Sequence, residues 1–256
     1  PFAILGAALF GAAWAAIPGW LQAKRGSHIV ITTIMFNYIS AALLIYLLNE
    51  VFKVPGSMAP ESRGFEAGAH IPRIDQMAGW FGISMSRSPV NVSLFLALLA
   101  CVFVWLLIWR SKLGYEIRAF GHSEKAAVYA GISPVRITVI VMLLSGAMAG
   151  LMALNTVMGE LQRLNLDTVQ GAGFVGIAVA LMGRNHPLGV LLAAVLFGAL
   201  YQGGAELAFE MNIPRELIVT IQALVILFTG SLENLVRFPM IRLVDGLRNR
   251  LGARAA

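Results

Sequence analysis

Charge is confined to short gaps between long apolar runs. Uncharged stretches cover residues 1–23, 26–49, 88–109, 137–159, 168–183, 187–205 and 217–232. A helix crossing about 30 Å of hydrocarbon needs about 20 apolar residues. The pattern therefore predicts an all-α, polytopic helical membrane protein with about seven crossings. The first four stretches and 187–205 are long enough as they stand, and 217–232 reaches that length by taking in Ile213 to Glu216. The stretch 168–183 differs, because Gly171 interrupts it near its start and Gly183-Arg184 closes it. A short, glycine-interrupted segment at membrane depth predicts a short or broken helix lining a cavity.

Composition agrees. Hydrophobic residues make up 58% of the chain and charged residues 12%, whereas soluble domains carry about 25% charge. Mean hydropathy is +0.78. The net charge of +6 does not point to nucleic acid, since the basic residues do not cluster on a polar face. Their distribution instead sets an orientation. With the carboxyl end inside, thirteen of the nineteen Lys and Arg residues fall on the cytoplasmic side, as the positive-inside rule requires. The chain opens at Pro1 directly into apolar sequence, which leads us to expect that an amino-terminal part precedes it.

The expected organisation is a transmembrane domain over 1–236 and a basic cytoplasmic tail over 237–256. An outer loop spans 49–90, with Trp80 and Phe81 as interface anchors, and an inner loop spans 110–136. The inner loop reads RSKLGYEIRAFGHSEKAAVYAGISPVR. Ser123 is an N-cap for a short helix over Glu124 to Ala130, Gly131 is its C′ stop, and Pro134 opens the next span. Ala7, Gly11, Ala15 and Gly19, together with Gly146 and Gly150, recur at four-residue steps and predict close helix packing within one bundle.

Chemical motifs are scarce. Residues 171–176, GAGFVG, match a dinucleotide fingerprint in letters, but polar residues precede them and no acid follows about 20 residues on. The glycines read as an irregular backbone packing closely. No G-x-x-x-x-G-K-[ST] loop is present, so no ATP site is expected in this chain. The four histidines lie in separate segments and Cys101 sits in an apolar run. Neither a metal site, a disulfide nor a cofactor is expected, and no catalytic residues are identified. The protein is not expected to be an enzyme.

Polar residues at membrane depth are the candidate solute pathway. Asn37 and Tyr38 lie mid-span; an amide in hydrocarbon must be paired, either along a pathway or in an interhelical hydrogen bond. Asn155, Glu160, Gln202 and Glu206 lie towards the outer ends of their spans, and Phe174 lies in the glycine-rich segment. No span carries a mid-depth carboxylate, which disfavours a proton-coupled carrier but leaves an ion-coupled secondary transporter open as the alternative.

Five stretches carry a family resemblance: HIVITTIMFNYI (28–39), KLGYEIRAFGHSEKAAVYAGIS (112–133), LSGAMAGLMAL (144–154), GAGFVGIAVALMGRNHPLG (171–189) and LFGALYQGG (196–204). In order and spacing they resemble the permease subunit of bacterial ABC importers, in the simple-sugar and nucleoside branch of the branched-chain amino acid permease group. The resemblance implies an inner-membrane subunit paired with a second permease, homo- or heterodimeric. It also implies two cytosolic ATPase subunits that bind the ATP and a periplasmic solute-binding protein as partners. It further implies that the E-A-A…G-type pattern of the inner loop docks on the ATPase. The matching residues are Glu124, Ala126, Ala127 and Gly131, with Arg118 and Gly121 just before.

Overall fold

The computed structural model describes residues 2–53, 56, 60–75, 77, 90–166, 168, 171–210, 214, 217, 219–225 and 227–228. Trp80, Phe81, part of the expected crossing over 217–232 and the whole tail lie outside the described residues. Helices are α1 (Phe2–Arg25), α2 (Ile29–Tyr46), α3 (Ser93–Arg110), α4 (Lys112–His122), α5 (Glu124–Tyr129), α6 (Pro134–Leu154), α7 (Ala172–Met182) and α8 (Pro187–Glu210). Two helices end in π-helical turns: α2 continues into Leu47–Val51 and α6 into Asn155–Leu161. With those extensions, α1, α2, α3, α6 and α8 are long and apolar enough to cross a membrane. The expected short helix is α7, whose 11 residues rise about 16 Å at 1.5 Å each, roughly half a bilayer core.

The chain divides into two compact units, Pro1–Gln170 and Gly171–Ala256. In the first, α1 packs along α6 more extensively than any other helix pair, and the small-residue stripes explain why. A Cβ on Gly11 would stand 2.3 Å from the Gly146 carbonyl oxygen, and one on Gly150 would stand 2.1 Å from that of Ala7. A Cβ on Gly146 would meet the Ala15 methyl at 2.4 Å, and one on Gly19 would meet Met142 Cβ at 2.7 Å. Rising positions on α1 thus meet falling positions on α6, so the helices are antiparallel with backbones in contact. Lipid is as apolar as a leucine side chain, so helices gain little from hiding apolar surface and associate by close packing. Trp14 ties α2 to this pair through an edge-to-face contact with Phe36 at 5.7 Å. Neither α2 nor α3 buries a residue within the described chain.

The α3–α4 corner is set by two residues. Ser111 caps α4 by accepting from the Gly114 amide at 2.9 Å, and its hydroxyl donates back to the Leu107 carbonyl at 2.6 Å. A Cβ on Gly114 would stand 2.1 Å from that same carbonyl, so only glycine fits. The sequence reading left 112–122 as part of the inner loop. Gly114 and Gly121 lower its apparent helix propensity, yet the capped corner makes it a helix.

In the second unit α7 and α8 form a hairpin over a small core of Ala178, Val179, Ala193 and Phe197. Its turn holds Arg184 and Asn185 in the left-handed region, at φ 54° and 55°. A Cβ on Gly183 would stand 2.4 Å from the Val190 amide nitrogen.

Replacing Gly146 by leucine would force α1 off α6. We expect Gly146→Leu to cost about 2–3 kcal/mol, the scale of overpacking a tight contact, read as an earlier transition in detergent unfolding. Gly6, around which a Cβ finds open space, should accept Gly6→Ala without loss.

Candidate functional site

Helix α6 carries a built feature at each end. At its amino-terminal end, α5 is a six-residue helix fixed by its own chemistry. The Ser123 hydroxyl oxygen accepts from the Ala126 amide at 3.4 Å. At the other end Gly131 adopts φ +81°. Its amide donates to Val128 at 3.0 Å, while the Ile132 amide reaches back to Ala127 at 3.0 Å. These two bonds make a Schellman stop, which glycine at C′ permits. Two residues on, Ser133 is extended and Pro134 begins α6, where a missing amide donor costs nothing. The link from α5 to α6 therefore has no slack.

The inner-loop residues singled out from sequence fall on this feature. Arg118 and Gly121 are exposed on α4, and the Arg118 Nε donates along the helix to the Gly114 carbonyl at 3.4 Å. Glu124 and Ala126 are exposed on α5. Ala127 is buried at 2% exposure where α5 lies against α4 and α6. Gly131 supplies the stop. Sequence reasoning passed over Ser111 and Gly114, which orient α4, although S-x-x-G after an apolar run is a readable cap signal.

At the carboxyl-terminal end of α6, the π-helical turn opens with Asn155, and a polar knot forms there. Asn91 Nδ2 donates to Asn155 Oδ1 at 2.9 Å, and the Ser93 hydroxyl donates to the same oxygen at 2.8 Å. The Ser93 hydroxyl also contacts Asn91 Oδ1, which accepts from the Ser93 amide at 3.2 Å. Asn91 is buried. Gly159 leaves room for it, since a Cβ there would stand 2.4 Å from Asn91 Nδ2. The described part of the outer loop is stitched over the same turn. The Ser62 amide donates to Leu164 at 3.0 Å, Phe65 to Gln162 at 2.9 Å and Ile71 to Met158 at 3.2 Å. The Leu164 amide returns to the Ser62 hydroxyl at 2.9 Å, and Arg163 pairs with Glu61 at 3.0 Å. Beneath this strap lies a cavity of about 500 Å³, lined among others by Ile4, His70, Pro72, Ser93, Leu154 and Met158.

Of the pathway residues, Asn155 is gathered with Asn91 and Ser93, whereas Asn37 and Tyr38 on α2 and Glu160 on the π-helical turn are exposed. In the second unit Phe174 on α7 and Gln202 and Glu206 on α8 are exposed as well. Among the described residues no group of His, Cys, Asp or Glu could hold a metal ion.

Five membrane-length helices with a capped helix mounted between two of them define a polytopic helical membrane protein. The chain belongs to the family described as branched-chain amino acid transport system / permease component, which it matches over residues 1–230. It is 35% identical over 244 residues to the guanosine ABC transporter permease protein NupP of Bacillus subtilis, covering 95% of this chain and 68% of that protein. It is 32% identical over 238 residues to the glucose ABC transporter permease protein TsgB13 of Haloferax volcanii, covering 93% and 63%. With the nucleoside ABC transporter permease protein NupB of Lactococcus lactis it shares 32% identity over 232 residues, covering 89% and 62%. The chain thus spans between 62% and 68% of the length of these relatives. No solved structure matches it.

Asn155→Leu would strand the buried Asn91 amide. A buried donor without a partner costs about 1–3 kcal/mol. We expect a destabilisation of that size in detergent unfolding, partly restored by the double variant Asn155→Leu with Asn91→Leu. Equal stability of wild type and single variant would show that the knot contributes nothing.

Proposed function

We propose that this chain is the membrane-spanning part of an ATP-driven importer for nucleosides or simple sugars. It works in the bacterial inner membrane with its carboxyl end in the cytosol. The supporting relatives are named for guanosine, nucleoside and glucose transport. A second permease subunit completes the pathway, a periplasmic binding protein delivers the solute, and separate cytosolic ATPase subunits bind and hydrolyse the ATP.

The observation that carries this reading is the capped helix α5, seated without slack on the inner end of α6. A loop that merely joined two spans would not need an N-cap, a Schellman stop and a proline start within twelve residues, Ser123 to Pro134. Closure of the ATPase subunits moves α5, and α6 transmits the movement. Helix α3, which turns into α4 at the Ser111 corner, moves with it. The cavity between the two permease subunits then opens alternately to either face. Solute lining is assigned to Asn37, Tyr38, Asn155, Glu160, Phe174, Gln202 and Glu206, with Asn155 acting from within its knot.

Two substitutions test the coupling. Glu124→Arg reverses the charge presented at the start of α5. Gly131→Val places a branched residue where φ is +81°, at a cost of about 1–2 kcal/mol. In the reconstituted complex each should lower solute uptake by about tenfold, the effect of about 1.4 kcal/mol lost from the coupled state, while ATP hydrolysis continues. Wild-type uptake in both would remove α5 from the mechanism.

A further inference from the structure

Helix α5 presents far more than it needs for its own fold. Of its six residues only Ala127 is buried; Val128 is 50% exposed and Tyr129 is 94% exposed. An isolated helix this short is not stable in water, so its caps and Ala127 hold it, and Tyr129 contributes nothing to that hold. Exposed apolar side chains on α1, α2, α3 and α8 face a membrane by virtue of their spans. Tyr129 belongs to no span. It shares its helix with exposed Glu124 and Lys125.

Resting on the importer reading above, we propose that Tyr129 is the aromatic anchor by which the cytosolic ATPase grips the permease, its ring filling an apolar socket of that subunit while Glu124 and Lys125 form the polar rim. Three observations select this occupant. The α4–α5 pair is the longest described segment between spans on the side that the positive charge marks as cytoplasmic; residues 26–28 and 183–186 there are only turns. Tyrosine offers a large rigid surface with two side-chain torsions, so immobilising it costs little entropy, and such residues dominate interface energetics from the centre of a patch. The mount is stiff: one residue past Ala130 the chain is locked by Gly131, and the Ile132 amide is bonded back to Ala127. A pull on Tyr129 therefore reaches α6 directly. A tyrosine that only met lipid headgroups would need no such mount.

The test uses the full-length permease co-expressed with its ATPase and purified from membranes, with ATPase retained per permease as the readout. Tyr129→Ala should retain at least about tenfold less ATPase, Tyr129→Phe should retain the wild-type amount, and both should unfold in detergent at the wild-type temperature. Wild-type retention by Tyr129→Ala overturns the inference, as does loss in Tyr129→Phe equal to that in Tyr129→Ala, because the ring would then not be the anchor. A wild-type permease that retains no ATPase overturns the importer reading itself, so the two failures are separable.

Discussion

Helices α1 and α6 meet at glycines on both sides of the contact. The carbonyls of Ala7 and Gly146 occupy the space a Cβ would need on Gly150 and Gly11. In a bilayer this contact has to come from shape, because lipid offers apolar surface as freely as another helix does. It fixes α6 as a member held against α1. The capped helix α5 and the Asn91–Ser93–Asn155 knot lie at the two ends of that member.

At its amino-terminal end α6 is joined to α5 through a glycine stop and a proline start. At its carboxyl-terminal end α6 runs into a π-helical turn whose first residue, Asn155, is bound to Asn91 and Ser93. The outer strap is bonded across the same turn. On the importer reading proposed above, a displacement applied at α5 would be passed along a packed helix to a polar knot under the strap, through an element with a defined contact at each end. The wider π-helical turn is the natural place for that element to yield, since such turns accommodate local adjustment in an otherwise regular helix.

Much of this was legible in the sequence because it depends on local chemistry. Uncharged length gave the five membrane-length helices and the short α7. Ser123, Gly131 and Pro134 gave the bounds of α5 and the start of α6, since each satisfies or removes a backbone group within a few residues. The small-residue stripes announced a close helix contact, though not which helices met. Long-range pairings stayed hidden. Asn91 and Asn155 are 64 residues apart, and no local signal links them. The π-helical turns have no composition of their own, and helix α4 was masked by its two glycines. The exposure of Tyr129 was hidden too, because a tyrosine inside EKAAVYAG reads equally well as packed or presented.

The central claim is that α4–α5 faces the cytosol on a stiff mount at the end of α6. The most direct measurement is modification of a single cysteine at Lys125, in a Cys101→Ser background, by a membrane-impermeant maleimide. The account predicts labelling in inside-out vesicles and none in right-side-out vesicles. Labelling only in right-side-out vesicles would place α5 on the solute side and contradict it.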